Sequence, residues 1–170
     1  MTLSFHALEP ARLADWLAFF DGPAFADNPE WGTCYCRYFL FEGGKDAWEG
    51  ACATPGVNRS AMTALVRAGA VDGLLACDGD RVIGWVHFGP TSRFQASGGA
   101  LAPAEPGVAS IVCFLVAAEH RRRGVARALL RTACDELARR GFDSVDARPA
   151  RDIQAEAMNQ FTGPLPLYLA

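Results

Sequence analysis

The sequence predicts an α/β fold in which helices flank a central sheet. Two segments predict it: an antiparallel hairpin and a strand–helix–strand unit. The hairpin consists of apolar runs at residues 71–77 and 81–88. They flank Asp78-Gly79-Asp80, and a glycine beside aspartates between two β-prone runs is typical of a tight turn. We therefore expect these two strands to be neighbours in the sheet.

The strand–helix–strand unit lies further along the chain. Residues 108–116 are a nearly continuous apolar run, as expected for a strand buried on both faces. Residues 122–140 have apolar side chains at helical spacing, and Gly141 ends the predicted helix. Residues 144–148 predict the next strand. This order forms a βαβ unit, for which a right-handed crossover is expected.

The remaining elements have weaker patterns. Residues 3–8 predict a strand, and residues 10–20 a helix with Leu13, Leu17 and Phe20 on its apolar face. Asn58 is a candidate cap for a helix of about residues 59–69. Residues 21–44 are irregular and rich in aromatics, and the glycine- and proline-rich residues 89–107 predict a mobile loop.

Composition limits the kind of protein this is. A length of 170 residues fits a single domain over residues 1–170. The net charge of −3 argues against nucleic-acid binding, which usually needs a basic excess. We expect no signal peptide and no membrane span, because no segment has the required apolar run. The prediction is therefore a cytoplasmic domain, whose six cysteines are reduced thiols.

The segment from Phe114 to Ala126 carries the chemistry. A buried strand runs into a tight turn that opens a long helix, and the first amides of such a helix lack intrahelical partners. Together with the helix dipole they form an anion site that suits a diphosphate. Gly124 permits close approach of the backbone, and Ala126 keeps the next position small.

The turn has the pattern [Arg/Gln]-x-x-Gly-x-[Gly/Ala] and resembles the acetyl-CoA-binding motif of the GNAT N-acetyltransferase superfamily. The resemblance covers roughly residues 55–170 and implies a GNAT-type mixed central sheet. It also implies that acetyl-CoA is the acyl donor. The residues that would bind it are the strand positions Phe114, Leu115 and Val116, whose backbone would pair with the pantetheine arm, and the turn residues Arg121, Arg122, Arg123, Gly124, Val125, Ala126 and Arg127.

The same resemblance implies a general acid near the end of the chain. In the family, a late tyrosine protonates the departing CoA thiolate, and Tyr168 is the matching residue. The Gly-Phe that usually follows this tyrosine and the final two strands are absent, so the sheet would lack its last two strands. The alternative for Tyr168 is a surface residue at a frayed end.

Several other residues have both a functional and a structural interpretation. His87, on the second hairpin strand, is a candidate general base or a strand histidine without a catalytic role. The arginines from Arg121 to Arg131 are a solvated helix face or a nucleic-acid patch, and Arg127 or Arg131 could meet the CoA 3′-phosphate. Trp85 and the aromatics of residues 31–41 would wall an acceptor pocket or fill the core.

Cys34 and Cys36 invite a metal or redox interpretation. A zinc site needs about four ligands. The chain has three histidines, none close in sequence to these cysteines, and two residues one position apart on a strand point to opposite faces. We therefore expect no metal.

The function predicted is acetyl transfer from acetyl-CoA to a small-molecule or peptide amine by direct attack on the thioester. A backbone amide near Val116 would stabilise the oxyanion. Two alternatives stay open: a non-catalytic acyl-CoA-binding module, and a thiol redox or metal protein that uses Cys34 and Cys36. We expect neither nucleic acid nor membrane as a partner, and homodimer formation is left open.

Overall fold

The computed structural model describes residues 2–94, 105–149 and 161–169. Within them the chain forms a five-stranded mixed sheet with helices on both faces, which confirms the predicted α/β fold. The strands are β1 (Leu3–Ala7), β2 (Gly73–Asp78), β3 (Arg81–Pro90), β4 (Val108–Val116) and β5 (Ser144–Ala147). The helices are α1 (Leu13–Phe20), α2 (Lys45–Ala53), α3 (Val57–Arg67), α4 (Val125–Arg139) and α5 (Leu165–Tyr168).

The strands lie in sequence order, β1-β2-β3-β4-β5. Adjacent strands from β1 to β4 are antiparallel to one another, which confirms the predicted hairpin between β2 and β3. Strand β5 runs parallel to β4, and α4 makes the connection between them. In the described part of the chain β5 is the last strand of the sheet.

Two apolar clusters cover the two faces of the sheet. On one face, α1 and α3 bury Trp16, Phe19 and Met62 against Leu75 and Trp85. On the other face, α4 buries an apolar stripe against the same strands, made up of Val125, Leu129, Ala133 and Leu137. The sheet is therefore the middle of three layers.

Three details of the helices differ from the predictions. The long helix begins at Val125 rather than residue 122, because Gly124 is its N-cap. Asn58 does not cap α3. It is 2% exposed inside the first turn, and its side chain bonds Thr33 and Arg37. Trp16, absent from the predicted face of α1, is fully buried there because its ring packs against Phe20, one turn later in the helix, and against Trp85 of β3.

The segments expected to be irregular contain more order than predicted. Residues 21–44 include three short 3₁₀ turns, and α2 follows them without having been predicted. Strand β3 continues to Pro90, and the buried Thr91 hydroxyl bonds that of Ser110 at 2.8 Å, so the start of the expected mobile loop is ordered. Residues 95–104 of that loop lie outside the described residues.

None of the helices in the described ranges combines the length and the apolar content that a membrane crossing requires.

Candidate active site

A groove of about 510 Å³ lies at the N-terminus of α4. One wall is the end of β4 and the turn that follows it, and the opposite wall is the segment that leads into α5. The residues lining it are Phe114, Val116, His120, Arg121, Arg122, Gly124, Val125, Ala126, Arg127, Gly163, Pro164, Pro166 and Leu167. The groove therefore brings together most of the predicted cofactor-binding residues. Leu115 and Arg123 are not among those lining it.

The backbone of the turn is shaped to expose amides. Arg122 and Gly124 both have left-handed conformations, with φ of 59° and 83°. Ala128 donates to the Gly124 carbonyl at 3.0 Å. In the described chain, the preceding amides of Val125, Ala126 and Arg127 have no such partner. These amides lie at the positive end of the helix dipole, as an anion site requires.

Gly124 leaves the mouth of this site open. A Cβ atom added to it would meet no atom within 4 Å. The glycine is needed there for its left-handed backbone, which side-chain-bearing residues rarely adopt.

The arginines of this region fall into two groups. Arg122, Arg123, Arg127 and Arg131 are exposed, and none forms an ion pair within the described part of the chain. Arg121 is held in place instead. Its Nε donates to the Val116 carbonyl at 3.0 Å, and its guanidinium binds Asp27 through both terminal nitrogens. The side chain of Arg121 thus ties the turn to the segment after α1, while the exposed arginines remain available to an anion.

The edge of β4 where the pantetheine arm was predicted is partly open. Strand β5 pairs with β4 only from Val108 to Ile111, so the two strands part beyond that point. The Phe114 amide on this edge is already paired, since it donates to the Phe161 carbonyl. Alternate amides of a strand point the same way, so the Val116 amide faces the same side. It has no backbone partner in the described residues.

Tyr168 is packed rather than frayed. Its ring lies edge-on to that of Phe114 at 6.3 Å, and its hydroxyl donates to the Thr162 carbonyl at 2.7 Å. Burial raises its pKa well above the usual range, and the neighbouring Cys113 and Cys134 add to the shift. The hydroxyl is therefore protonated at neutral pH. It belongs to the segment that walls the groove, although Tyr168 is not among the residues lining it.

A second cavity, of about 360 Å³, lies on the other side of β4. Six aromatic residues and four cysteines make up most of its lining, and three of the cysteines come from the first third of the chain. The lining residues are Phe25, Glu30, Trp31, Thr33, Cys34, Cys36, Tyr38, Phe39, Trp48, Cys52, Cys113, Leu115 and Phe161. Of the aromatics of residues 31–41, Trp31, Tyr38 and Phe39 thus wall a cavity, whereas Trp85 is fully buried in the core.

A smaller space of about 30 Å³ lies between the groove and this cavity. It shares Phe114, Val116 and Arg121 with the groove, and Phe25, Leu115 and Phe161 with the cavity. The end of β4 therefore faces both spaces, in the arrangement that a two-substrate transfer requires.

The expectation that Cys34 and Cys36 point to opposite faces is wrong. Residues i and i+2 of a strand share a face, and these two cysteines do not lie on a strand at all. They belong to a turn in which Tyr35 and Cys36 have φ of 48° and 55°, and both cysteines line the cavity. The six cysteines are free thiols. No group of three or more His, Cys, Asp or Glu residues suited to a metal occurs in the described ranges.

His87 is fully buried in β3 and lies outside the cavity lining. Its ring packs between Trp85 and Phe94, with centroid distances of 5.8 and 5.2 Å. Neither ring nitrogen makes a well-formed hydrogen bond with the described residues. It cannot contact an acceptor directly from this position.

The sequence profile of one protein family, described as the Acetyltransferase (GNAT) family, matches residues 28–160. This chain belongs to the GNAT acetyltransferase family. None of the curated proteins matches the chain in sequence.

Solved structures show the same GNAT fold. An aminoglycoside acetyltransferase from an uncultured soil metagenomic sample has a TM-score of 0.52 at 19% identity, over 91% of this chain and 84% of that one. Ribosomal-protein-alanine N-acetyltransferase from Brucella melitensis biovar Abortus has a TM-score of 0.53 at 14% identity, over 90% and 85%. The aminoglycoside N-acetyltransferase AAC(6')-Iy, bound to a CoA-containing bisubstrate analog, has a TM-score of 0.54 at 13% identity, over 91% and 84%.

Sequence reasoning missed several residues of this GNAT site. Asp27, Trp48 and Phe161 lie in segments without a periodic pattern, so no local signal marked them. His120 was noted only as part of the turn. It lines the groove, and its buried Nδ1 lacks a partner in the described part of the chain.

Proposed function

We propose that this protein transfers the acetyl group of acetyl-CoA to the amino group of a small acceptor with an apolar body. The CoA diphosphate binds the amides of residues 122–127, and the acceptor enters the aromatic cavity. The observation that carries the proposal is the groove at the α4 N-terminus, where unpaired amides and exposed arginines meet beside the open edge of β4.

The pantetheine arm follows the open edge of β4 toward the small space between groove and cavity. The thioester carbonyl then lies near the unpaired Val116 amide. A backbone amide that is already in place stabilises the negative charge of the tetrahedral intermediate without reorganisation. The family fold, with CoA-containing ligands bound in solved structures of this fold, supports acetyl-CoA as the donor.

The cavity supports an acceptor that is largely apolar. Among the described lining residues, Glu30 is the only one that carries a carboxylate, and aromatic rings form most of the wall. A ligand with several ammonium groups would need several such carboxylates to replace its hydration. An amine attached to a flat hydrocarbon body needs few, and its ring can pack against the aromatic side chains.

Positioning is the main source of rate. At pH 7, removing the proton from an amine with a pKa near 10.4 costs roughly 4–5 kcal/mol. Holding two reactants in line contributes about 7–11 kcal/mol, which exceeds that cost. Tyr168 is the proposed donor of a proton to the departing CoA thiolate, because it packs against Phe114 beside the groove.

The test is acetyl-CoA turnover with three acceptors: 2-phenylethylamine, an aminoglycoside and a peptide with an N-terminal alanine. Of the three acceptors, we expect 2-phenylethylamine, whose body apart from the amino group is entirely apolar, to have the largest kcat/KM. Calorimetric titration with CoA is carried out in parallel. CoA binding without turnover of any amine would favour the non-catalytic acyl-CoA-binding alternative, and no CoA binding would refute the proposal.

A further inference from the structure

The turn that carries Cys36 is held rigidly in the cavity wall. Asn58 of α3 bonds the Thr33 carbonyl and the Arg37 guanidinium, each at 2.9 Å. The Tyr35 hydroxyl bonds Asp21 at 2.6 Å. Two successive left-handed residues without a glycine are rare, and such conformations persist only where the surroundings enforce them. This turn places Cys36 in the cavity wall, although the residue is only 3% exposed.

Three groups of the sheet surround the Cys36 sulfur. His87 of β3 and Cys113 of β4 are partners in the strand register, and Trp85 lies two residues before His87 on β3. Both nitrogens of the His87 ring and the Trp85 Nε1 are buried without a well-formed hydrogen bond. Buried polar groups are nearly always paired, so this cluster lacks an acceptor. A thiolate at Cys36 would accept hydrogen bonds from all three groups.

The balance of interactions at Cys36 favours that thiolate. Burial opposes it, but the neighbouring Cys113, His87 and Trp85 side chains and the charge of His87 favour the thiolate more strongly and lower the pKa of Cys36 to about 6. The pKa of Cys34 is instead raised to about 12, chiefly by burial. The pKa of Cys113 is also raised, first by its hydrogen bond to Cys36. The titratable groups around the sulfur are His87, Cys113, Cys34 and, across the cavity, Cys52, Tyr38 and Glu30.

We propose that Cys36 is the general base of the acetyl transfer and that His87 is the positioning residue behind it. This inference rests on the proposed function. Cys113 and Leu115 lie two residues apart on one face of β4, which is about 7 Å. Leu115 also borders the small space that leads to the groove. An amine in the cavity can therefore contact Cys36 while it approaches a thioester at the end of β4.

The proton balance of the step is as follows. The neutral amine nitrogen attacks the carbonyl carbon of the thioester, and the new C–N bond leaves the nitrogen positively charged. The Cys36 thiolate takes one proton from that nitrogen. The oxyanion then re-forms the carbonyl as the C–S bond breaks, and CoA leaves as a thiolate that takes one proton from the Tyr168 hydroxyl. Tyr168 regains a proton from solvent. Cys36 returns its proton to solvent, so amine and acetyl-CoA give amide and CoA.

The first experiment needs no acceptor. Wild-type protein saturated with CoA is alkylated with iodoacetamide between pH 5 and 8, and each cysteine is followed by peptide mass spectrometry. We expect Cys36 to react with a half-maximal rate near pH 6 and Cys113 to react far more slowly. In His87→Gln the Cys36 midpoint should rise by about one pH unit or more, because glutamine can still donate a hydrogen bond but carries no positive charge. A Cys36 midpoint at or above pH 8 would overturn the inference.

The second experiment measures kcat/KM against pH with the fastest amine of the panel. We expect wild type to lose activity on the acid side as Cys36 becomes protonated. In Cys36→Ser this fall in kcat/KM on the acid side, the acid limb of the profile, should disappear. The rate should also be about 10²–10⁴-fold lower. Cys77→Ala is the matched control, since this buried thiol of β2 lines none of the cavities described above. It should keep the acid limb.

Three outcomes would overturn the role of Cys36: an unchanged acid limb in Cys36→Ser, its loss in Cys77→Ala, or an acetylated Cys36 after incubation with acetyl-CoA alone. The acetylated cysteine would make Cys36 a nucleophile rather than a base. Failure of the proposed function is seen separately, as a wild type that binds no CoA or turns over no amine.

Discussion

Gly124 combines a left-handed backbone with a clear path to the groove. Replacing it with valine would strain the backbone by about 1–2 kcal/mol and place a branched side chain where the diphosphate is proposed to lie. We expect Gly124→Val to bind CoA at least about tenfold more weakly, or about 1.4 kcal/mol. Calorimetric titration measures the affinity, and urea unfolding measures the free energy of unfolding.

Gly56 provides the matched control. It is the N-cap of α3, has a φ of 76°, and an added Cβ there would also meet nothing within 4 Å. Gly56→Val should lose similar stability and keep full CoA affinity. Equal CoA affinity in both folded variants would refute the assignment of the 122–127 turn.

Tyr168 has a structural role and a proposed catalytic role. Tyr168→Phe removes only the hydroxyl, so stability and kcat can be measured separately for the two roles. Tyr168→Phe removes the hydrogen bond to the Thr162 carbonyl, so we expect a loss of about 1 kcal/mol in the free energy of unfolding. If the hydroxyl protonates CoA, kcat should fall by about 10²–10⁴ with little change in CoA affinity. A kcat within about twofold of wild type would mean that the proton comes from elsewhere.

At the scale of elements, ion pairs hold the segment after α1 to the rest of the fold. Asp27 binds Arg121 of the turn before α4, and Asp21 binds Arg59 of α3 with a distance of 2.7 Å. The hydrogen bond from its arginine is the largest influence on each carboxylate, and both pKa values are lowered. Each pair therefore stabilises the fold above the unfolded pKa near 3.8 and loses that effect as pH falls below it.

The Asp27–Arg121 pair predicts a link between stability and cofactor binding. Asp27→Asn should lower the free energy of unfolding at pH 7 by about 1 kcal/mol or less, since the pair is partly exposed. The difference from wild type should begin to shrink below about pH 4, where Asp27 of the unfolded wild type takes up a proton, and should vanish only below the lowered pKa of Asp27 in the fold. Urea unfolding at pH 7, 4 and 3 measures it.

Asp21→Asn is the control for this prediction, because it removes a similar pair away from the groove. Both variants should show the same pH trend. CoA should bind more weakly only to Asp27→Asn, in which Arg121 is no longer fixed beside the Val116 carbonyl. Equal CoA affinity in the two variants would show that the Asp27–Arg121 pair does not position the turn.

At the scale of the whole molecule, the cysteines come from five different parts of the fold and still form no disulfide. We predict six titratable thiols in protein denatured under anaerobic conditions, and no bound metal. Thiol titration and elemental analysis of the purified protein measure both. A stoichiometric zinc signal or fewer than six thiols would contradict the prediction and revive the redox or metal alternative.

Much of the fold could be predicted from local patterns. The β2–β3 hairpin, the buried strand β4 and the helix α4 each have a periodicity or a turn residue that is visible within about 15 residues. The turn at Gly124 is equally local, since a glycine between a buried strand and an amphipathic helix predicts both a left-handed residue and free amides. Helix α2 was missed because its mixed composition has no clear apolar face.

The sequence by itself determined the α/β architecture, the family and the position of the glycine turn before α4, because neighbouring residues specify each of these. Only the tertiary structure decided the cavity and its contacts. Asp27 and Arg121 are 94 residues apart, and Cys36 meets His87 and Cys113 only after β3 and β4 have paired and α3 has anchored the turn at Thr33. Such contacts depend on how irregular segments pack against the sheet, and no periodic pattern in the chain encodes that packing.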